Sequence, residues 1–459
     1  MTFMKKIVFF SLLSIGSFIS KAQSDLTLYN MQPIPQRISV NPAFTPDCKW
    51  YLGMPGLSSV DFNFNSNAFQ FKEISTSLVP SRTSGKYTVD VTKLSDVLNN
   101  GAFVNLGVNV ELLNFGFRVR KSMFSFSATE KIKSRVGIPK DFLKLALEGN
   151  GGDNIGYDFN FNFGLDVLHT RELALGYSRT FLNDKLTVGG RVKYVLGLNV
   201  INTAKNDIVF TTNDRSFGYT VTADVEVNAS TPFLDSTLMA EQQLTALVNN
   251  GNNGFGVDLG AKFNLTDKIS LSASVVDLGV IKWQNSTSNI KSRNPGASFD
   301  YNGVDVRDYL GYSVDASAGF AALQDTILDV FALDTSSNSF STGLLGEFYL
   351  GGNFNLTKRH NAGILFYGSF NNKQFFPAVT LSWNSKIGRV LAVSASYSVM
   401  RGSYVNAGVG MGLNLGPEQF YFVTDNILGA FSGNVKNISA RFGWNHTIGR
   451  KKWEAQQKG

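Results

Sequence analysis

Few residues in this sequence have the chemistry for catalysis. Its 459 residues hold three histidines (His169, His360, His446) and one cysteine, Cys48. A nucleophilic serine needs a histidine beside it to take its proton. His169 and His360 fall in segments that read as turns, and His446 shares the register of Phe442 and Trp444. None is expected in mid-strand on a polar face, so these residues do not support an enzyme. One cysteine excludes a disulfide framework, and no metal-ligand spacing occurs. Gly408-Val409-Gly410-Met411-Gly412 is glycine-rich, but glycine on alternate positions leaves room on one face of a strand and does not make a phosphate loop. No cofactor is implied.

The charged residues carry more information. Arg118, Arg120, Arg191, Lys193 and Lys262 share a polar register with Glu111, Asp166, Asp224, Glu226, Asp258 and Glu347. Mixed signs inside a barrel pair across it, whereas a conducting pore is lined by one sign at its constriction. The expected lumen-lining residues are Arg118, Arg191, Lys193, Asp224, Asp258, Lys262 and Glu347, and the expected lumen is closed. A second set, Tyr29, Asn30, Asn41, Pro42, Ala43 and Phe44, lies near the N-terminus. Pro33, Pro35, Pro42 and Pro46 resist both helix and central strand, which makes this stretch a stiff arm. Phe44, Trp50 and Tyr51 give it apolar anchors, so it reads as a plug for the lumen or a displayed docking peptide.

A period-two pattern has to position these groups. Leu391, Val393, Ala395, Tyr397 and Val399 alternate with Ala392, Ser394, Ser396 and Ser398. After Arg401-Gly402-Ser403, a hairpin-length link, Val405, Ala407, Val409, Met411 and Leu413 alternate with Asn406, Gly408, Gly410, Gly412 and Asn414. Each set occupies one face of a strand. The pattern recurs near residues 104–110, 159–165, 186–196, 219–225, 255–263, 269–275, 347–355 and 379–384. Strands of ten or more residues match the 9–11 that cross a bilayer with tilt. A soluble sandwich has strands of about 5–6 residues and a charged outer face. Here the polar face is Ser, Gly, Asn and Thr, and charged residues are only 17 % of the chain. Tyr397, Tyr404, Trp383, Trp444 and Phe376 suit interfacial girdles near strand ends.

The fold class expected is all-β: a single transmembrane antiparallel up-and-down β-barrel of about 14 strands (14–16), with short helices in extracellular loops. Short turns are expected at His169-Thr170-Arg171, Asn183-Asp184, residues 266–268, 358–361, Asn371-Asn372, 385–388 and 416–418. Insertions near 65–103, 135–154, 229–253, 287–342 and 426–437 all fall on the outer side if the last strand ends in the periplasm. Whether residues 51–64 form a strand or belong to the plug decides the count. Helical stripes occur at Lys140 to Glu148, Asp235 to Asn249 and Asp315 to Asp334; the last carries Phe320, Leu323, Ile327 and Val330. On this reading Val393→Arg meets lipid and Ser394→Arg is far milder.

Residues 1–22 read as a signal peptide, with Lys5 and Lys6, an apolar stretch from Ile7 to Ile19, and Ser20-Lys21-Ala22 as cleavage site. The stretch is too short to span as a helix, and no later run is long and apolar enough. The organisation expected is 1–22 signal peptide, 23–50 periplasmic arm or plug, 51–449 outer-membrane barrel, and 450–459 basic tail. The formal charge of +7 and the absence of a basic stripe give no sign of nucleic acid.

Leu28-Tyr29-Asn30-Met31 followed by Asn41-Pro42-Ala43-Phe44 resembles the opening of the PorP/SprF family, barrels associated with type IX secretion and gliding. Asp47-Cys48-Lys49, residues 54–59 (MPGLSS), 175–178 (LGYS), Gly416-Pro417 and Asp425-Asn426 resemble a related outer-membrane family of unknown function. The resemblance implies a barrel of about 14 strands and supplies no catalytic residues. The function expected is a non-enzymatic structural or docking component linked to secretion or surface machinery. Its expected partners are outer-membrane lipid and periplasmic or cell-surface proteins. The rival reading is a transporter of the FadL type for small hydrophobic compounds.

Overall fold

The computed structural model describes residues 25–66, 102–213, 218–234, 248–301, 329–371, 374–400, 403–428 and 437–450, a short hairpin at 78–80 and 87–89, and a few isolated residues between them. The expected signal peptide, most of the Asp315 to Asp334 stripe and the basic tail beyond Arg450 lie outside the described residues. Among the described residues no helix is long and apolar enough to cross a membrane.

Fourteen strands make the wall. They are β1 (Trp50–Gly53, resumed as Val60–Ser66), β2 (Ala102–Val119), β3 (Ser122–Ile138), β4 (Gly164–Phe181) and β5 (Leu186–Thr212). Next come β6 (Asn252–Asn264), β7 (Ile269–Trp283), β8 (Phe340–Gly343, resumed as Glu347–Asn355), β9 (His360–Asn371) and β10 (Gln374–Ile387). Then follow β11 (Leu391–Met400), β12 (Ser403–Leu415), β13 (Glu418–Thr424) and β14 (Asn437–Ile448). Each pairs antiparallel with its sequence neighbours. β14 closes on β1 through Trp50↔Ile448 and Val60↔Phe442, so the wall leaves no edge.

The long connections all leave from one end, here the loop end, and the other connections are short. Residues 51–64 are therefore wall, interrupted once. The His169–Arg171 turn is not there: these residues lie inside β4, because the strand continues past a one-residue register shift at His169/Thr170. Residues 219–225 do form a strand (Tyr219–Ser230), but it pairs with the upper part of β5 and with two further strands outside the wall. Helix α1 (Lys140–Glu148) follows Pro139 and stops at Gly149, whose φ of 74° suits only a residue without a side chain. Leu333 and Asp334, the end of the expected third stripe, open a short strand (Leu333–Ser336).

Alternation sorts the wall into two surfaces. Val405, Leu381, Leu259 and Leu350 are more than half exposed outward, while Thr380, Ser398, Ser396 and Tyr349 are buried inward. Phe376 departs from expectation. It is 8 % exposed and points inward, meeting Phe103 edge-on at 6.2 Å, because it shares the register of Ala378 and Thr380.

Candidate functional site

Residues 25–49 occupy the inside of the barrel. The segment has no strand of its own and forms two short 3-10 turns, Leu28–Asn30 and Pro35–Ser39. Proline explains the lack of pairing, since it lacks the N–H a ladder needs. Its side chains reach nearly every part of the wall. Tyr29 Oη shares a hydrogen bond with Ser272 on β7 (2.9 Å), and Asn30 Nδ2 donates to Ser382 on β10 (2.9 Å). Asn353 on β8 donates to Asn30 Oδ1 at 3.0 Å. Gln36 Nε2 donates to Asn445 Oδ1 on β14 (2.8 Å) and to the Ser58 carbonyl (3.0 Å). Asn41 Nδ2 reaches the carbonyls of Ala261 and Ala273 at 3.4 and 3.3 Å, while its Oδ1 accepts from Ala43 N–H.

Glycine makes this approach possible. A Cβ on Gly408 would stand 2.3 Å from Thr27 Oγ1, on Gly410 2.2 Å from Met31 Sδ, and on Gly189 2.3 Å from the Pro42 carbonyl. Gly351, Gly363 and Gly260 do the same for Tyr29, Asn30 and Asn41. The alternating glycines of β12 are thus the floor of a groove that holds the arm. Apolar anchors complete the fit. Tyr29 stacks on Tyr349 (5.5 Å) and meets Phe44 edge-on (4.9 Å), with the Arg37 guanidinium over the Phe44 ring at 4.1 Å. Leu28, Met31 and Ile34 pack with Tyr421 and Val423. All six candidate arm residues, Tyr29, Asn30, Asn41, Pro42, Ala43 and Phe44, are buried.

The charged candidates divide. Arg191 and Lys193 on β5 meet Asp258 on β6 at 3.4 and 2.7 Å, and Lys193 also bonds Asp277. Glu347 lies 3.6 Å from Lys133 and accepts from Tyr349 Oη at 2.7 Å. Arg118 donates to the Pro46 carbonyl (2.7 Å), and Lys262 shares the electrostatic neighbourhood of Arg37, Asp47 and Lys386. Asp224 stands apart: it bonds Lys205 on the sheet above the wall and does not join the others. Six further groups were missed in the sequence. Lys131 meets Glu172 (2.9 Å) and Asp277 (3.0 Å), and Arg441 bridges Asp25 (2.8 Å) and Asp61 (3.1 Å). Asp277 is hidden from strict alternation by a bulge, where it and Val276 both turn inward with Asp277 at φ 58°.

Above the arm remains a cavity of about 70 Å³, floored by Ser39 and Val40 and walled by Asp25, Lys131, Asp277, Glu347 and Arg441. That is room for a few waters, less than the ~150 Å³ that admits benzene. The histidines sit elsewhere. His169 accepts or donates to Glu130 (2.6 Å) and Asn199 (3.0 Å) on the outward register, His360 stacks on Trp383, and His446 pairs with Glu418 (2.6 Å). His360 lies across the ladder from Ser385, but its Nδ1 makes no hydrogen bond.

Solved structures of similar fold are outer-membrane barrels. A deltaS2 mutant of the monoaromatic hydrocarbon channel TodX aligns with TM-score 0.40 and 12 % identity over 89 % of this chain and 93 % of its own. The Pseudomonas putida toluene transporter TodX gives 0.39 and 10 % over 94 % and 96 %. A Pseudomonas aeruginosa FadL homologue gives 0.39 and 10 % over 89 % and 92 %. No curated protein matches the sequence. Residues 42–425, from the second residue of the arm's Asn-Pro-Ala-Phe to the carboxylate below β14's start, match the model of a family of unknown function (DUF5723), and the chain belongs to that family.

Proposed function

We infer that the protein is a non-enzymatic outer-membrane barrel with a sealed lumen, serving as a structural or docking component of secretion or surface machinery. The observation that carries this reading is the arm, which occupies the lumen and leaves a cavity of about 70 Å³ beside Ser39 and Val40. The outward surface is apolar and the inward surface is hydroxyl, amide and charge, as a bilayer requires of a closed barrel. The signal-peptide pattern of residues 1–22 supplies export, and the long loops then face outside with the short turns in the periplasm. The opening that resembles PorP/SprF places secretion and gliding machinery among the partners to look for, and such partners would meet the loop sheet or the turn end.

Planar-bilayer recording of the purified protein tests the reading. The intact chain should show no steady conductance. A large, constant conductance would sink the sealed-barrel reading, and a lipid or hydrocarbon retained through purification would favour a transporter. Copurification of periplasmic or surface proteins from membranes is the positive expectation.

A further inference from the structure

We propose that the arm is a releasable plug, locked into the lumen around Asp25 by a small set of charges. The proposal rests on the sealed-barrel reading and adds how the seal opens. Four features of the structure carry it.

The wall does not need the arm. Its hydrogen-bond ladder closes through β1, β2 and β14, and of the arm only Lys49, at its base, joins it, by backbone bonds with Ile448 and Arg118. The rest of the arm pairs with no wall strand, and its regular structure is two short turns.

The wall beneath the arm is polar over several stretches, between apolar patches that include Leu365, Tyr421 and Met123. Ser272, Ser382, Ser396, Asn353, Gln419 and Asn445 supply the contacts. A permanent core is apolar because exposing it is costly. Hydroxyls and amides exchange an arm partner for water at little net cost. The polar stretches therefore tolerate both states, while the Tyr29, Phe44 and Tyr349 rings and the packing of Leu28, Met31 and Ile34 keep the docked one dominant.

The arm is tethered at one end and locked at the other. Lys49 N–H donates to the Ile448 carbonyl at the turn end, where the chain passes into β1. At the far end Arg441 holds Asp25 at 2.8 Å, and Asp61 shares that guanidinium at 3.1 Å. The Asp425 carboxylate accepts from Thr27 N–H (2.7 Å) and Leu26 N–H (3.3 Å). These contacts are charge-assisted and buried, so they are the strong ones along the arm.

Release has somewhere to lead. Asp25, Ser39 and Val40 are the arm's contribution to the cavity on the loop side. Withdrawing the arm through the turn end joins that cavity to the space the arm leaves, giving a passage lined by glycine, serine and asparagine.

The test uses the full mature chain in planar bilayers and in detergent. Asp25→Arg sets two cations against each other at the lock without altering the wall. Thr27→Cys with Ser396→Cys replaces two hydroxyls 2.7 Å apart, and their oxidation ties the arm down. Cys48, 1 % exposed at the arm's base, reports release through its alkylation. Wild type should be sealed with rare brief openings and slow alkylation. Asp25→Arg should raise both at least about tenfold, the scale of losing one buried ion pair. The oxidised cysteine pair should abolish both, and a reductant should restore them. A sealed protein in which Asp25→Arg changes neither readout overturns the release mechanism while leaving the sealed barrel standing. If Asp25→Arg fails to fold, an oxidised pair whose Cys48 reacts as fast as wild type overturns it independently. Steady conductance of wild type defeats the sealed-barrel reading itself.

Discussion

At the scale of single residues, the arm and wall are matched through positions where a side chain is missing. Gly189 and Gly190 are adjacent on β5 and differ in what they face. A Cβ on Gly189 would lie 2.3 Å from the Pro42 carbonyl oxygen, a backbone atom that cannot swing away, whereas on Gly190 its nearest atoms are at 3.5 Å or more. Gly189→Ala should therefore displace the arm locally, and Gly190→Ala should not. Cys48 again reads the difference. Burial pushes its thiol up to about 12, so it carries almost no thiolate near pH 8 while the arm is docked. Alkylation at pH 8 should accelerate in Gly189→Ala alone; equal rates in the two variants would contradict the close approach. The buried charges give a second contrast. Lys193→Met leaves Asp258, fully buried, without its nearest cation and should cost about 3–5 kcal/mol in urea unfolding. Adding Asp258→Leu should recover only part of that loss, because it takes away the carboxylate that Arg191 meets at 3.4 Å, while Asp277 keeps Lys131.

At the scale of elements, the alternation in β11 was legible and its consequence was not. Val393 faces outward and Ser394 inward at 3 % exposure, as period two implies. Period two does not show that Ser394 lies within the groove floor beside Gly410, against which Met31 packs. Val393 stands two residues from the turn end of β11, so Val393→Arg should cost less than the ~2–4 kcal/mol of the bilayer midplane and still lower the fraction of heat-resistant barrel on gels. Ser394→Arg should leave that fraction high yet expose Cys48, since the arginine displaces the arm and never meets lipid. A loss of barrel in both variants would mean that the arm holds the wall together. Elements failed to be legible where the period breaks. Nothing in the order Val275, Val276, Asp277, Leu278 signals a bulge, so an inward acid was missed. His169 and Arg171 look like turn residues because they are polar on the outward register. They pair there with Glu130, His169 at 2.6 Å and Arg171 at 2.6 Å, which removes the reason to break the strand. Phe376 looked like a girdle residue because aromatic identity alone does not reveal which face a strand end presents.

At the scale of the whole molecule, composition told architecture because the two surfaces of one sheet average out. Apolar residues coat the outside, Gly, Ser and Asn line the inside, and mean hydropathy comes to −0.03. Function was less legible because it depends on what fills the lumen, and that is fixed by contacts between residues hundreds of positions apart, such as Thr27 with Ser396 and Gln36 with Asn445. The prolines identified the arm as non-helical and non-strand, but only the inward glycines of β5, β6, β8, β9 and β12 show where it runs. Closure of the wall through β14 and β1 predicts that the barrel survives without it. A chain lacking residues 25–47 should keep its far-UV strand signal and its gel shift on heating, with a lower thermal midpoint because the Tyr29 ring, backed by Phe44, no longer stacks on Tyr349. Supplying residues 25–49 as a synthetic peptide should raise that midpoint in proportion to the logarithm of peptide concentration once sites are saturated, as any ligand of the folded state does. A truncated chain that loses its strand signal altogether would show that the arm is part of the folding core and not its guest.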